Sequence, residues 1–379
     1  MKNTFGNQIT ITLFGESHGA AIGAVLDGLA PGIEVSEESI ASYLVKRRPS
    51  SEIDTARKEP DHFQIISGVF QGKTTGTPVT ILIPNEDTRS KDYTYGPARP
   101  SHADYAAFCK YHGFEDYRGG GHFSGRITAA LVAAGGILLP ALEKKGIRIG
   151  THIFSCGGIE DLSLQSAAEE ADPAALENYL ETTLDNLKEK SFPVLDDISG
   201  AAMTKKILEA AKEGESVGGV TETAVLGLPA GLGEPWFDSV ESMLSHILFS
   251  LGGIKGVEFG SGFALAEMKG SEANDPIRIA EDGKVYTETN HNGGINGGIT
   301  NGMPVLFRCA VKPTASIAKE QKTVDFLKKE NIGHTITGRH DPAIVRRICP
   351  VIDSVTAIAL ADLLTVRYGT DYLADKEKE

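Results

Sequence analysis

The chain has 379 residues, 43 of them glycine and four cysteine, and a formal net charge of −14. That length gives one large α/β domain or two smaller ones with an ample core, and the acidity argues against nucleic acid as the main partner. No signal pattern opens the chain, and its uncharged apolar run, Ile127–Leu142, contains Gly and Pro, so a cytoplasmic protein without membrane contact is expected. Lys and Arg gather in the N-terminal third of this acidic body, an arrangement suited to a small anionic substrate. Cys109, Cys156, Cys309 and Cys349 are far apart and lack metal-ligand spacing. They are expected to be reduced and buried, and no metal is expected.

Gln8–Phe14 alternates β-branched and polar side chains, the period of a strand, and ends at Gly15-Glu-Ser-His-Gly19. There Ser17 and His18 stand between glycines, where an imidazole that holds or releases a proton near neutral pH can approach a ligand closely. Gly23–Leu26 reads as a second strand, and Ser36–Arg48 as a helix with Ser36 as its N-cap and Arg47-Arg48 at its end. Gly76–Ile83 is a strand entered through a turn, followed by a polar loop, Asn85–Tyr93, of the kind that carries ligand contacts.

Further along, Arg99-Pro-Ser-His102-Ala-Asp104 offers a second imidazole beside a carboxylate placed to begin a helix. Next comes Arg118-Gly-Gly-Gly-His122-Phe-Ser124-Gly-Arg126. Three glycines bring backbone close to a ligand, and flanking guanidinium groups before a helix start make a site for phosphate or carboxylate. Ile127–Glu143 is a buried helix, residues 160–195 are acidic and helical, and Ser199–Lys212 is amphipathic. Val220–Leu228 and Pro304–Lys312 are strands. Between them Asn290–Gly298 is glycine-rich enough for a flat ring to lie on backbone. Lys312-Pro313-Thr314-Ala315-Ser316 supplies an ammonium and hydroxyls apt for a monophosphate, and Gly338-Arg339-His340-Asp341 precedes a last helix, Ala343–Val366. The charged tail, residues 375–379, is expected to fray.

The order of segments repeats. Ala24-Val-Leu with Gly76-Thr-Pro-Val79 parallels Ala224-Val-Leu with Gly302-Met-Pro-Val305, and the His/Asp elements at 102 and 340 each precede a helix. Two related halves with the ligand site where they meet are expected. Ser17, His102 and Asp341 make a triad on paper, but Gly15-Glu-Ser17-His-Gly19, although it spells G-x-S-x-G, is followed by a strand and not by the helix of a nucleophile elbow, and no G-x-G-x-x-G turn follows the first strand. Acyl transfer and a Rossmann domain are therefore disfavoured.

Taken in order, these segments resemble the chorismate synthases. The match includes Gly15-Glu-Ser-His-Gly19, Arg57-Lys-Glu-Pro-Asp61, Arg89-Ser-Lys-Asp-Tyr93, His102-Ala-Asp-Tyr105, Arg118-Gly-Gly-Gly121, Gly231-Leu-Gly-Glu-Pro235, Gly293-Gly-Ile-Asn-Gly-Gly298, Lys312-Pro-Thr314 and Gly338-Arg-His-Asp-Pro342. The resemblance implies one catalytic domain over residues 1–379, an α/β (α+β) fold built as a β-α-β sandwich of antiparallel sheets, and a homotetramer. It also implies reduced FMN, with NADPH as a candidate reductant. The implied reaction is the 1,4-anti-elimination of phosphate from 5-enolpyruvylshikimate 3-phosphate.

By the same match His18 protonates the departing phosphate, His102 sits against the flavin, Asp341 assists proton removal, and Ser17 and Ser124 relay or orient protons. Cofactor contacts fall to His122, Ser124, Gly253, Gly297, Lys312, Pro313, Thr314, Ala315, Ser316 and Arg339, and substrate anions to Arg47, Arg126 and Arg339. Three departures stand out. His122-Phe123 occupies a place where the family usually has Arg-Ser, Gly252-Gly253 stands where Asn-Ala is common, and Ile53 replaces an arginine. A titratable residue at 122 leads us to expect anion affinity to fall as pH rises. A flavin-independent phosphotransferase and a non-catalytic anion-binding protein are the alternatives. The first would ignore FMN, and the second would be indifferent to loss of His18.

Overall fold

The computed structural model describes residues 2–55, 59–88, 93–170, 173–336, 338 and 340–374. Two five-stranded antiparallel sheets flank a layer of helices. The first sheet holds β1 (Thr4–Phe5), β2 (Thr10–Gly15), β3 (Ala21–Asp27), β4 (Gln64–Ser67) and β5 (Val79–Pro84) in the order β1-β2-β3-β5-β4. The second holds β6 (Arg148–Cys156), β7 (Ile159–Glu160), β8 (Gly219–Leu226), β9 (Ile254–Phe259) and β10 (Val305–Val311) in the order β9-β10-β8-β6-β7. The mixed α/β sandwich read from the sequence is what the chain adopts.

The two halves share one topology. In the first, β2 and β3 pair, α1 (Glu37–Arg47) intervenes, and β4 and β5 follow, with β5 inserted beside β3. In the second, β6 and β8 pair, α4 (Val240–Leu248) intervenes, and β9 and β10 follow, with β10 beside β8. Between the halves run α2 (Asp104–Tyr111) and α3 (Thr128–Glu143), and α5 (Val345–Tyr368) closes the chain. The repeated Ala-Val-Leu segments occupy β3 and β8. Ala24 pairs with Ile81 and Ala224 with Leu306, one residue apart in register relative to Val79 and Val305.

At the centre α3 crosses α5 and also packs on α1. Close approach is possible because Gly135 and Gly136 have no side chains. A Cβ on Gly135 would fall 2.8 Å from Cα of Ser354, and one on Gly136 would fall 2.7 Å from Cα of Ile40. Gly125–Glu143 and Val345–Tyr368 are long and apolar enough to cross a membrane, but 83% and 94% of their most apolar windows are buried inside the fold. Their apolarity serves a core shared by both sheets.

The expected elements differ from the observed ones mainly at their ends. The first long strand starts at Thr10 because the N–H groups of Asn7, Gln8 and Ile9 are turned to the buried Asp362 carboxylate, at 2.9, 2.7 and 2.9 Å. The strand after Gly76 begins only at Val79, and Val220–Leu228 shortens to end at Leu226 before Gly227. Ser36 caps α1 as anticipated, accepting from the Ser39 N–H. Three cysteines are buried, but Cys109 on α2 is exposed, which corrects the expectation that all four are core thiols. Ile53 is buried in an apolar cluster with Ile153 and Val345, away from any polar role. The tail, 375–379, lies outside the described residues.

His152 on β6 is fully buried between Asp161, 3.2 Å from Nδ1, and Glu222, 2.9 Å from Nε2. Burial alone would lower its pKa, but the two carboxylates outweigh that and raise it. The stability this cation supplies is full below the unfolded imidazole value of about 6.5 and is lost as pH rises through the higher folded value. Substituting His152→Gln should therefore flatten the alkaline decline in urea-unfolding free energy. For Asp362→Ala, three N–H groups lose their acceptor, and unfolding free energy should fall by about 3 kcal/mol. An unchanged urea midpoint would count against that role.

Candidate functional site

Two imidazoles meet across a glycine arc. The turn after β2 carries Ser17, fully buried, and His18. Asn85, just past β5, brackets that turn by donating its Nδ2 hydrogens to the carbonyls of Glu16 and Gly19, both at 2.9 Å. Opposite it run Gly119, Gly120 and Gly121, with φ of +61°, +83° and +53°. A Cβ on Gly119 would fall 2.4 Å from Cδ2 of His18 and 3.0 Å from Oγ of Ser17, and one on Gly120 would fall 3.2 Å from Cε1 of His102. Bare backbone thus fills the gap between the two rings. Only glycine fits both the space and the left-handed conformation.

His102 is held from behind. Its Nδ1 lies 2.8 Å from Oδ1 of Asp104, the first residue of α2, and Arg99 grips the same carboxylate through Nε at 2.8 Å and Nη2 at 2.7 Å. Burial would raise the Asp104 pKa, but the bonds from Arg99 and His102 prevail and hold it well below the usual carboxylate range. Asp104 therefore stays anionic wherever an imidazole titrates. Tyr93 links the two histidine arms, edge-on to His18 at 5.3 Å and beneath the Arg99 guanidinium at 5.8 Å. A cavity of about 110 Å³ opens here, lined by Tyr93, Arg99, His102, Asp104, Gly120 and Phe123.

Beyond Asn85 lies a buried cationic cluster. Asp61, 2% exposed, accepts from Nη1 of Arg126 and faces Nη2 of Arg47 at 3.6 Å and Nε of Arg48 at 3.5 Å. Arg126 also donates to Oδ1 of Asn85 at 3.0 Å and to the Pro84 carbonyl at 3.1 Å, which ties this cluster to the His18 turn. Burial pushes the Arg47 pKa down to about 10 against the pull of Asp61, so Arg47 remains a cation at neutral pH. Asp341 accepts from the Thr55 N–H at 2.9 Å and from Nη1 of Arg347 at 2.5 Å, and Nε of Arg347 donates to the Arg47 carbonyl at 2.9 Å.

The third arm comes from the second half. The Lys312 N–H donates to the Gly253 carbonyl at 2.9 Å, and its Nζ reaches the carbonyl of Ser101, next to His102, at 2.6 Å. Thr314 accepts from the Ser216 hydroxyl at 2.7 Å, and Val217 donates to the Pro342 carbonyl at 2.8 Å, beside Asp341. Ser316 is buried, Ala315 is half-buried and Pro313 is exposed. Among the described residues the buried Thr314 hydroxyl has no hydrogen-bond partner. Ser124 accepts from the Arg126 N–H at 3.3 Å. Hydrogen bonds and chain neighbours together therefore link Pro342, next to Asp341, through Val217 and Ser216 to Thr314, and Lys312 through Ser101 to His102, the glycine arc, His18, Asn85, Arg126 and, by way of Asp61 and Arg347, Arg47 and Asp341. Residues of both halves supply these links.

Gly297 lies outside these links. Its hairpin precedes β10, whereas Lys312 follows β10, and seven strand residues span about 20 Å. Arg339, Arg57, Lys58 and residues 89–92 lie outside the described residues. Reading the sequence gave no role to Asp61, Asn85, Tyr93 or Arg347. Asp61 and Tyr93 each end a polar motif, which was the available signal, while nothing marked Arg347 apart from other helix-start arginines.

A family model described as chorismate synthase matches residues 9–365. A chorismate synthase of Pyrococcus abyssi is 43% identical over 365 residues, 96% of this chain and 97% of that protein. One of Methanobrevibacter smithii is 45% identical over 365 residues, 96% of each. A solved structure titled crystal structure of chorismate synthase superposes with a TM-score of 0.74 at 28% identity, covering 96% of this chain and 94% of the other.

Substituting Gly119→Ala places a methyl group against His18 and Ser17. Turnover should fall by about 100-fold or more, as misplacement of reacting groups by about 1 Å costs. The unfolding free energy should fall by only about 1–2 kcal/mol, the cost of a left-handed alanine. Loss of activity in proportion to loss of folded protein would contradict the placement.

Proposed function

The chain belongs to the chorismate synthase family, and on that footing we infer how its residues divide the work of the family's reaction. The protein is a carbon–oxygen lyase that forms chorismate by FMN-dependent elimination of phosphate from 5-enolpyruvylshikimate 3-phosphate. The observation that carries our assignment of roles is the placing of His18 and His102 on either side of Gly119-Gly120, with buried guanidinium groups across Asn85.

The substrate brings two carboxylates and a phosphate. Arg47 and Arg126 meet such anions with charges already desolvated and oriented by Asp61, so little reorganisation is needed on binding. We assign Arg339 to the same task. Phosphate leaves from an allylic carbon, and a proton delivered to its bridging oxygen by His18 lowers that barrier, with Ser17 beside it to orient or relay. Asp104 holds His102 with Nδ1 turned away from the glycine arc, so the opposite edge of the ring faces the ligand. Ser124 and Asp341 orient and assist proton removal on the other side of the substrate.

The residues present fit FMN. The unpartnered Thr314 hydroxyl, the Lys312 ammonium and buried Ser316 form a phosphate-receiving segment, with Gly253 beside them. Lys312, Pro313, Thr314, Ala315 and Ser316 would hold the group, with Ser124 and Arg339 as further contacts. When bound, FMN supplies reversible electron donation to the substrate ring and an acceptor for its departing hydrogen. Our proposal includes the reduced form as the active one, NADPH as reductant, a homotetramer and a cytoplasmic setting.

Under anaerobic conditions with dithionite-reduced FMN and 5-enolpyruvylshikimate 3-phosphate, chorismate absorbance and free phosphate should rise together in equal amounts. Oxidised FMN should give neither. The His18→Ala variant should lose about 10²- to 10⁴-fold in kcat, the usual contribution of a positioned proton donor. Phosphate release without chorismate, or parental kcat in the variant, would refute the assignment.

A further inference from the structure

We infer that His122 is a positioning residue for His18, holding the turn that carries it against the glycine arc through Nδ1. This rests on the reading of His18 as the acid. The Nδ1 of His122 lies 2.7 Å from the carbonyl oxygen of Gly15. A carbonyl only accepts, so Nδ1 carries a proton in both charge states of the ring and the bond does not depend on ring charge. Two residues along, the Ser17 N–H donates back to the Gly121 carbonyl at 3.1 Å. The two bonds run in opposite senses between residues 15–17 and 121–122, so they resist both sliding and twisting of one segment against the other.

Tolerance at this junction is small. The Gly119 backbone approaches His18 so closely that a single Cβ would fall 2.4 Å from the ring. Asn85 also holds the His18 turn, but it reaches in from β5 and touches nothing on the arc among its hydrogen bonds. The arc meets His102 at Gly120, so the bond from His122 fixes His18 relative to His102. Its neighbour Phe123 packs edge-on to Tyr111 of α2, 6.1 Å between ring centres, which anchors the segment on its other side. An imidazole at 122 thus reaches the backbone of the turn, a different task from the flavin contact expected of this position.

The test uses the full chain with reduced FMN, measuring kcat, KM for 5-enolpyruvylshikimate 3-phosphate and FMN affinity by fluorescence titration. In His122→Ala, kcat should fall on the order of 10- to 100-fold, as for small misplacements of catalytic groups, with KM and FMN Kd within about threefold. His122→Asn, whose amide nitrogen replaces Nδ1, should recover kcat to within about threefold, whereas His122→Gln, which replaces Nε2, should stay near the alanine level. In a His18→Ala background the His122→Ala change should cost less than about twofold more, because residues acting as a unit are not additive. Rescue by glutamine together with a weakened FMN Kd would make the ring a cofactor ligand and overturn the proposal, as would full additivity in the double variant. If the alanine variant does not fold, the asparagine–glutamine contrast decides alone. Parental kcat in His122→Ala, with the His18→Ala loss intact, would remove the clamp only, while parental kcat in His18→Ala would remove the acid assignment and the clamp with it.

Discussion

One buried carboxylate organises the site. Asp61 answers three guanidinium groups from two separate stretches of chain, Arg47 and Arg48 at the end of α1 and Arg126 just before α3. Unpaired, those cations would be costly to bury, and unburied they would be solvated and weak. Held together, they remain charged in a place from which water is largely excluded. Among the described residues the buried Nε groups of Arg47 and Arg48 and Oδ2 of Asp61 make no hydrogen bond, although Arg48 Nε stands 3.5 Å from that oxygen. The proposed anion site is therefore a charge pattern already built before any ligand arrives.

The helix layer brings the two histidine arms to that cluster. Arg126 leads directly into α3, and the packing of α3 against α1 and α5 through Gly135 and Gly136 sets where Arg126 stands relative to Arg47 and Asp341. From Arg126 the chain runs back through Ser124 and His122 to the glycine arc, so the spacing of histidines and arginines follows from helix packing. Site precision thereby derives from the most buried part of the molecule.

Much of this was legible in the residues. Period-two alternation located β2, the apolar run located α3, and Ser36 marked the start of α1, because each signal is local. The Gly-Gly-Gly arc and the histidine turns stood out only in combination, since each alone reads as an ordinary turn, and the structure brings them together. The long-range partners of those segments could not be read. Asp362 draws the N–H groups before β2 from the far end of the sequence, and Asp61 gains meaning only when α1 and the segment before α3 converge on it. Gly297, at the opposite end of β10 from Lys312, shows that order along the chain does not by itself say which segments meet. The bond from His122 to the Gly15 carbonyl is another long-range partner that no local signal announces.

The central pair of helices has a consequence for how the polypeptide emerges from the ribosome. α3 is apolar all round and leaves the exit tunnel long before α5, its principal cover, which comes at Val345–Tyr368. Until synthesis is nearly finished, that greasy segment has the sheets and α1 but not α5 to shelter it, and it matches the length and composition that membrane-insertion and chaperone machinery recognise. A nascent chain stalled before residue 345 is thus the species most exposed to misrouting and aggregation, even though both the histidine turns and the glycine arc have already been made.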